Sequence, residues 1–146
     1  MPVLAPQEPN LEDEALIRDY PRWRPKGEAA GGRRITLMTA RTSVKCGDEV
    51  RVVHVAEALD AGSRLFLMRG KQVGGEILDR QAIGPEAADS DDPFRPNSLY
   101  DGPVILGPRI DTGWLVTRYR FDRPGEHDIE WKIGELVSNT LRIAVQ

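Results

Sequence analysis

The stretch spanning residues 118–145 constrains the fold more than any other part of the sequence, because its apolar residues recur at every second position. Pro124-Gly125 and Ser138-Asn139 are turn signals that divide it into three short runs. A period of two with one apolar face is typical of half-buried antiparallel strands. We therefore expect one face of these runs to line the core, with the inward residues Ile129, Trp131, Ile133, Leu141, Ile143 and Val145.

The composition is that of an ordinary globular protein of one domain, with 146 residues, 40% apolar and 29% charged. Its net charge of −3 gives no reason to expect nucleic acid as a partner. The single cysteine, Cys46, excludes an internal disulfide. The start of the chain lacks the pattern of a secretory signal, and no run approaches the roughly 18 apolar residues that cross a bilayer. A soluble, cytoplasmic protein without membrane contact is expected.

Residues 1–34 differ from the rest and contain five of the eleven prolines. Asn10 is a suitable N-cap for a short helix over residues 11–20, whose first turn is acidic. The Tyr20-Pro21 step should end that helix. We therefore predict an irregular, Pro-rich N-terminal arm over residues 1–34, which includes a short helix, and a β-domain over residues 35–146.

From residue 35 the chain divides into about seven short apolar runs. Residues 35–42, 49–58 and 114–121 are the longest of the early and middle runs, and the apolar face of the second switches between Val52 and Val53, which predicts a bulge. Residues 79–103 form a long polar stretch that predicts a loop, and loops of this length are often functional.

The segment Gly125-Glu126-His127-Asp128-Ile129-Glu130-Trp131 resembles the G-x-Y-x-C region of immunoglobulin-like and fibronectin III-like domains, in which the tyrosine forms a corner. His127 takes the place of the tyrosine, and no disulfide can form. The resemblance implies an all-β, immunoglobulin-like antiparallel sandwich of about seven strands. It transfers no functional residue, because a fold does not define a function.

Residues that could support chemistry do not form a motif. His54 and His127, with a carboxylate, are the best candidates for a metal site, but neither has a second ligand at a motif spacing. A hydrogen bond from His127 across the corner is the favoured interpretation of that residue. The acidic run around Asp89 lacks the pattern of a calcium loop. We expect no catalytic residue, no metal and no cofactor.

Residues of the type that anchor protein interfaces occur in two places. The arm has six basic and two acidic residues between positions 18 and 34, together with two large aromatic residues. In the strand at 114–121, alternation places a second apolar and basic stripe on the outer face, either covered by the arm or offered to a partner. The predicted partner-binding residues are Tyr20, Arg22, Trp23, Arg24, Trp114, Val116, Arg118 and Arg120.

These observations favour a non-catalytic module that acts by protein–protein contact, with a protein partner or a second copy of itself. One alternative is a small-ligand or carbohydrate-binding sandwich, with Trp114, Tyr100 and Phe94 as stacking platforms and the acidic loop holding a cation. Another is a metal-dependent enzyme that uses His54, His127 and a carboxylate.

Overall fold

The computed structural model describes residues 3–84, 93–94 and 102–146, and this part of the chain is mostly β-sheet. It has an α-helix, α1 (Leu11–Arg18), and a 3-10 helix (Tyr20–Arg22). Its strands are β1 (Val3–Gln7), β2 (Arg33–Met38), β3 (Ser43–Val44), β4 (Glu49–Ala58), β5 (Arg64–Phe66), β6 (Glu76–Leu78), β7 (Gln81–Ile83), β8 (Val104–Leu106), β9 (Arg109–Asp111), β10 (Val116–Arg120), β11 (Gly125–Ile133), β12 (Leu136–Val137) and β13 (Leu141–Val145). Over the described ranges, no helix is both long and apolar enough to cross a membrane.

Two main sheets enclose the core, an arrangement compatible with a β-sandwich. The first has the order β1-β10-β4-β2, with β9 also paired with β4. The second has the order β3-β13-β11-β6-β7, with β12 on β11, and β5 and β8 form a small separate ribbon. All of these pairs are antiparallel except β13 with β3. The described residues contain more strands than the seven predicted, because several are only two or three residues long.

The core lies where the C-terminal alternation predicts it. Trp131 is fully buried, and its indole Nε1 donates to the Gly74 carbonyl at 3.0 Å. The inward residues of β11 and β13 that were predicted from the sequence are all buried beside those of β2, β4 and β10. The strand periodicity of residues 118–145 is therefore confirmed.

The N-terminal segment is less irregular than predicted. β1 pairs with β10 and becomes the edge strand of the first sheet. The predicted helix is present, capped by Asn10, whose side chain accepts from the Asp13 amide at 2.9 Å while Asp13 accepts from the Asn10 amide. It ends at Arg18, and the chain continues as the 3-10 turn.

β4 runs unbroken from Glu49 to Ala58, so the predicted bulge is wrong. Its two faces are both apolar because both are covered. Val52 faces the main core, whereas Val53 and Val55 join a second cluster with Tyr20 on the outer side of the sheet. The arm provides that outer cover, which periodicity within β4 cannot reveal.

The predicted loop over residues 79–103 is partly wrong, because β6 and β7 form a hairpin through the turn at Asp79 and Arg80. Both turn residues have positive φ, at 49° and 68°. The acidic run from Glu86 to Asp92 lies outside the described residues.

Candidate functional site

The arm is docked on its own domain. Tyr20 is only 2% exposed, and its hydroxyl donates to Glu57 Oε1 at 2.6 Å. Burial, and next the bond to Glu57, raise the pKa of Tyr20 to about 12. Trp23 is half-buried and packs against both hydrophobic clusters. Trp23 therefore packs on a surface of its own chain.

The structure buries two of the predicted partner-binding residues on the 114–121 run. Val116 faces outward, as predicted, but lies under the arm beside Tyr20. The predicted outward orientation of Trp114 is wrong, because its ring packs edge-on against Trp131 in the core, with centroids 5.0 Å apart. Trp114 precedes β10 and forms an isolated bridge with Lys71, so the strand alternation does not extend to it.

The arginines among the predicted residues have different environments. Arg118 is paired with Glu49 and also donates to the Ala5 carbonyl, so it fastens β1 to the first sheet. Arg22 is exposed and forms a surface pair with Asp19. Arg24 and Arg120 are exposed.

A groove of about 800 Å³ lies where the arm crosses the first sheet, and four basic side chains line it. We call it the basic groove; its basic residues are Arg24, Lys26, Arg34 and Arg109. Two of them, Arg24 and Lys26, lie in the part of the arm that precedes β2. The other two come from strands: Arg34 lies opposite Glu57 in the β2–β4 pair, and β9 pairs with the other edge of β4.

Among the described residues, one carboxylate, Glu57, lines the basic groove, and it already accepts two hydrogen bonds. It accepts from Arg34 Nε at 2.7 Å and from the Tyr20 hydroxyl. Lys26 Nζ and Arg24 Nη1 both donate to the Trp23 carbonyl, at 3.0 and 2.8 Å. Within the described ranges, no carboxylate pairs with Arg24, Lys26 or Arg109.

The charges in the basic groove repel one another. Partial burial lowers the pKa of Lys26, and the neighbouring Arg24 and Arg34 lower it further. Lys26 Nζ also lies 4.8 Å from the centre of the Tyr20 ring. Like charges held this close attract an anion, because an anionic group relieves the repulsion.

The sequence indicated part of this site. The basic excess between positions 18 and 34 located Arg24, Lys26 and Arg34, but Arg109 was missed. Nothing local to Arg109 marks it, since only the pairing of β9 with β4 brings it to the arm.

The two histidines have separate structural environments. His127 confirms the corner prediction: Nε2 contacts the Arg123 carbonyl at 3.0 Å, and Nδ1 contacts Asp79 Oδ2 at 2.8 Å. His54 is buried with its ring edge-on to Trp131, and burial lowers its pKa to about 3. In the part of the chain that the structure describes, no three His, Cys, Asp or Glu side chains are placed to hold a metal.

The residues proposed as stacking platforms are not open platforms. Phe94 and Trp114 are both buried in the main core, and Tyr100 lies outside the described residues. Lys71 Nζ lies 4.2 Å from the Trp114 ring centre and pairs with Asp111 at 2.6 Å, with both charged groups buried. Cys46 is exposed.

No protein-family model, no curated protein and no solved structure matches this chain. What the geometry defines is the class: a mostly β protein of several antiparallel sheets with a basic groove beside its docked N-terminal segment.

Proposed function

We propose that this chain is a non-catalytic, immunoglobulin-like module that binds a partner protein, and that the basic groove receives an acidic segment of that partner. The observation that carries the proposal is the lining of the groove: among the described residues, Arg34 pairs with its one carboxylate, Glu57, whereas Arg24, Lys26 and Arg109 have no carboxylate partner.

Sheet order supports the immunoglobulin-like assignment. In such domains one sheet contains strands A, B, E and D and the other contains G, F and C. Here β2, β4 and β10 have the order of A, B and E, and β13, β11 and β6 have the order of G, F and C. β1 lies beside β10, where strand D would lie. His127 contributes a corner contact to the backbone four residues upstream, as the corner tyrosine does.

The charge distribution supports a protein partner over a nucleic acid. The chain as a whole carries −3, so a long polyanion would meet repulsion outside the groove. A short acidic segment of a protein engages only the local positive charge. Arginine suits this contact because its planar guanidinium binds a carboxylate in a bidentate manner.

The test uses a fluorescein-labelled peptide of ten glutamates as the probe and fluorescence anisotropy as the measurement. The full-length chain should bind it, and the double charge reversal Arg24→Glu/Lys26→Glu should weaken binding by about tenfold or more. Added salt should weaken binding to the unmodified chain, because the pairs are partly exposed.

The matched control is Arg64→Glu/Arg123→Glu, which changes the net charge equally at two exposed arginines away from the groove. It should retain most of the affinity. Equal losses of affinity in the two variants would show that binding depends only on net charge, and would refute the groove as the binding site. Stronger binding of a single-stranded oligonucleotide than of the peptide would replace the protein partner with a nucleic acid. Sedimentation of the unmodified chain tests the second-copy alternative, since a dimer that the reversal dissociates would place another copy in the groove.

A further inference from the structure

A second cavity lies at the β1 edge of the first sheet, between β1 and the β6–β7 hairpin. Its volume is about 290 Å³, at the low end of the roughly 300–1,000 Å³ typical of small-molecule pockets. We call it the lateral cavity. Its apolar wall consists of Val3, Leu4, Pro6, Val73 and Ile83, and its polar lining consists of Gln72, Glu76 and Thr117.

Glu76 is the unusual member of this lining, since one oxygen of its buried carboxyl group has no hydrogen-bond donor among the described residues. The residue is only 8% exposed, and Oε2 accepts from the hydroxyl of the fully buried Tyr119. Among the described residues, nothing donates to Glu76 Oε1. Thr117 is also more than nine-tenths buried, and within the same ranges its hydroxyl makes no hydrogen bond of normal geometry.

Comparison with another buried carboxylate, Asp111, shows what Glu76 lacks. Asp111 is 4% exposed, and the ammonium group of Lys71 pairs with it. Among the described residues, no lysine, arginine or histidine lines the lateral cavity. Ionising a buried carboxyl without a cation is costly, and burial accordingly raises the pKa of Glu76 to about 7. Among the described residues, Tyr119 is the titratable group whose side chain bonds to Glu76.

We propose that the lateral cavity binds a small organic cation, a primary amine on a short apolar body, whose ammonium group pairs with Glu76. An ammonium group has three donors, and the lining offers the Glu76 carboxylate, the Thr117 hydroxyl and the Gln72 amide oxygen as acceptors. The apolar wall suits the body of the ligand. A divalent metal fits poorly, because it requires several oxygen ligands and the described part of this lining includes one carboxylate.

The experiment compares three probes of one shape, cyclohexylamine, cyclohexanol and cyclohexanecarboxylate, by NMR titration of the full-length ¹⁵N-labelled chain at pH 8. The amine should shift the amide signals of residues 72–76, 83–84 and 117 saturably, and the other two probes should not. Glu76→Gln should weaken amine binding by about tenfold or more. Glu130→Gln, on a neighbouring strand outside the cavity lining, is the matched control and should bind like the unmodified chain.

Lowering the pH from 8 to 6 should weaken amine binding, because protonation of Glu76 removes the charge that the ligand pairs with. Ile83→Trp, which fills the cavity but keeps Glu76, should also lose amine binding. This variant replaces Glu76→Gln in the test if Glu76→Gln does not fold. Three outcomes would overturn the proposal: no saturable shift, equal binding of the alcohol that survives Glu76→Gln, or binding that strengthens as the pH falls. None of these readouts depends on the basic groove, so the two proposals fail separately.

Discussion

Replacing Asp13 with alanine should lower the free energy of unfolding by about 2–4 kcal/mol, because this buried carboxylate connects the arm to the first sheet. Asp13 is 1% exposed. Its Oδ2 accepts from Arg51 Nε at 3.0 Å and Nη2 at 2.9 Å, and from the Asn10 amide. The same arginine also donates to Gln7 and to the Glu8 carbonyl.

The size of the effect follows from what remains after the substitution. Breaking a buried ion pair typically costs about 3–5 kcal/mol, since it leaves the other charge uncompensated. Arg51 keeps Glu49 at 3.3 Å, so we expect a smaller cost of about 2–4 kcal/mol. Loss of half of the capping box adds to it, because the Asn10 amide is left without its acceptor.

Urea unfolding followed by circular dichroism measures this change in the free energy of unfolding. Thermal unfolding should show a fall in the melting temperature of roughly 5–15 °C for a chain of this size. Glu12→Ala is the matched control, since Glu12 is in the same helical turn but forms only an exposed pair with Arg41 at 3.8 Å. It should cost less than about 1 kcal/mol. Equal effects of the two substitutions would show that Asp13 acts through the helix alone and would refute the proposed connection to the sheet.

Two further predictions concern the core and the corner. Trp131→Ala should cost about 3–5 kcal/mol in urea unfolding, the usual range for a core tryptophan, and a loss below about 1 kcal/mol would contradict the burial seen here. His127→Ala should destabilise the fold and His127→Tyr should be tolerated. Desolvation alone would lower the pKa of His127, but the bonds to Asp79 and the Arg123 carbonyl outweigh it and raise the pKa. The stabilisation from the charged ring should therefore be complete below the unfolded pKa of about 6.5 and lost as the pH rises through the folded pKa. The melting temperature of the alanine variant should lack this pH dependence. The same pH profile in the variant and the unmodified chain would contradict the role given to His127.

The sequence by itself determined the local features of this protein. Alternation over residues 118–145 was enough to identify β11 and β13 and to place Trp131 in the core, because side-chain direction in a strand depends only on position along it. The helix after Asn10 was equally predictable, since a cap and its helix are neighbours in the chain. The corner contact of His127 with Arg123 spans only four residues.

Only the tertiary structure decided which strand faces are covered by other segments and which charged side chains lie close together. The outer face of β4 is buried because the arm lies over Val53 and Val55, and no pattern within the strand can show that cover. Arg109 reaches the basic groove, and Tyr119 reaches Glu76, through contacts between residues far apart in sequence. Such contacts depend on strand order and register. These are set when distant parts of the chain come together, and the sequence next to a residue does not specify them.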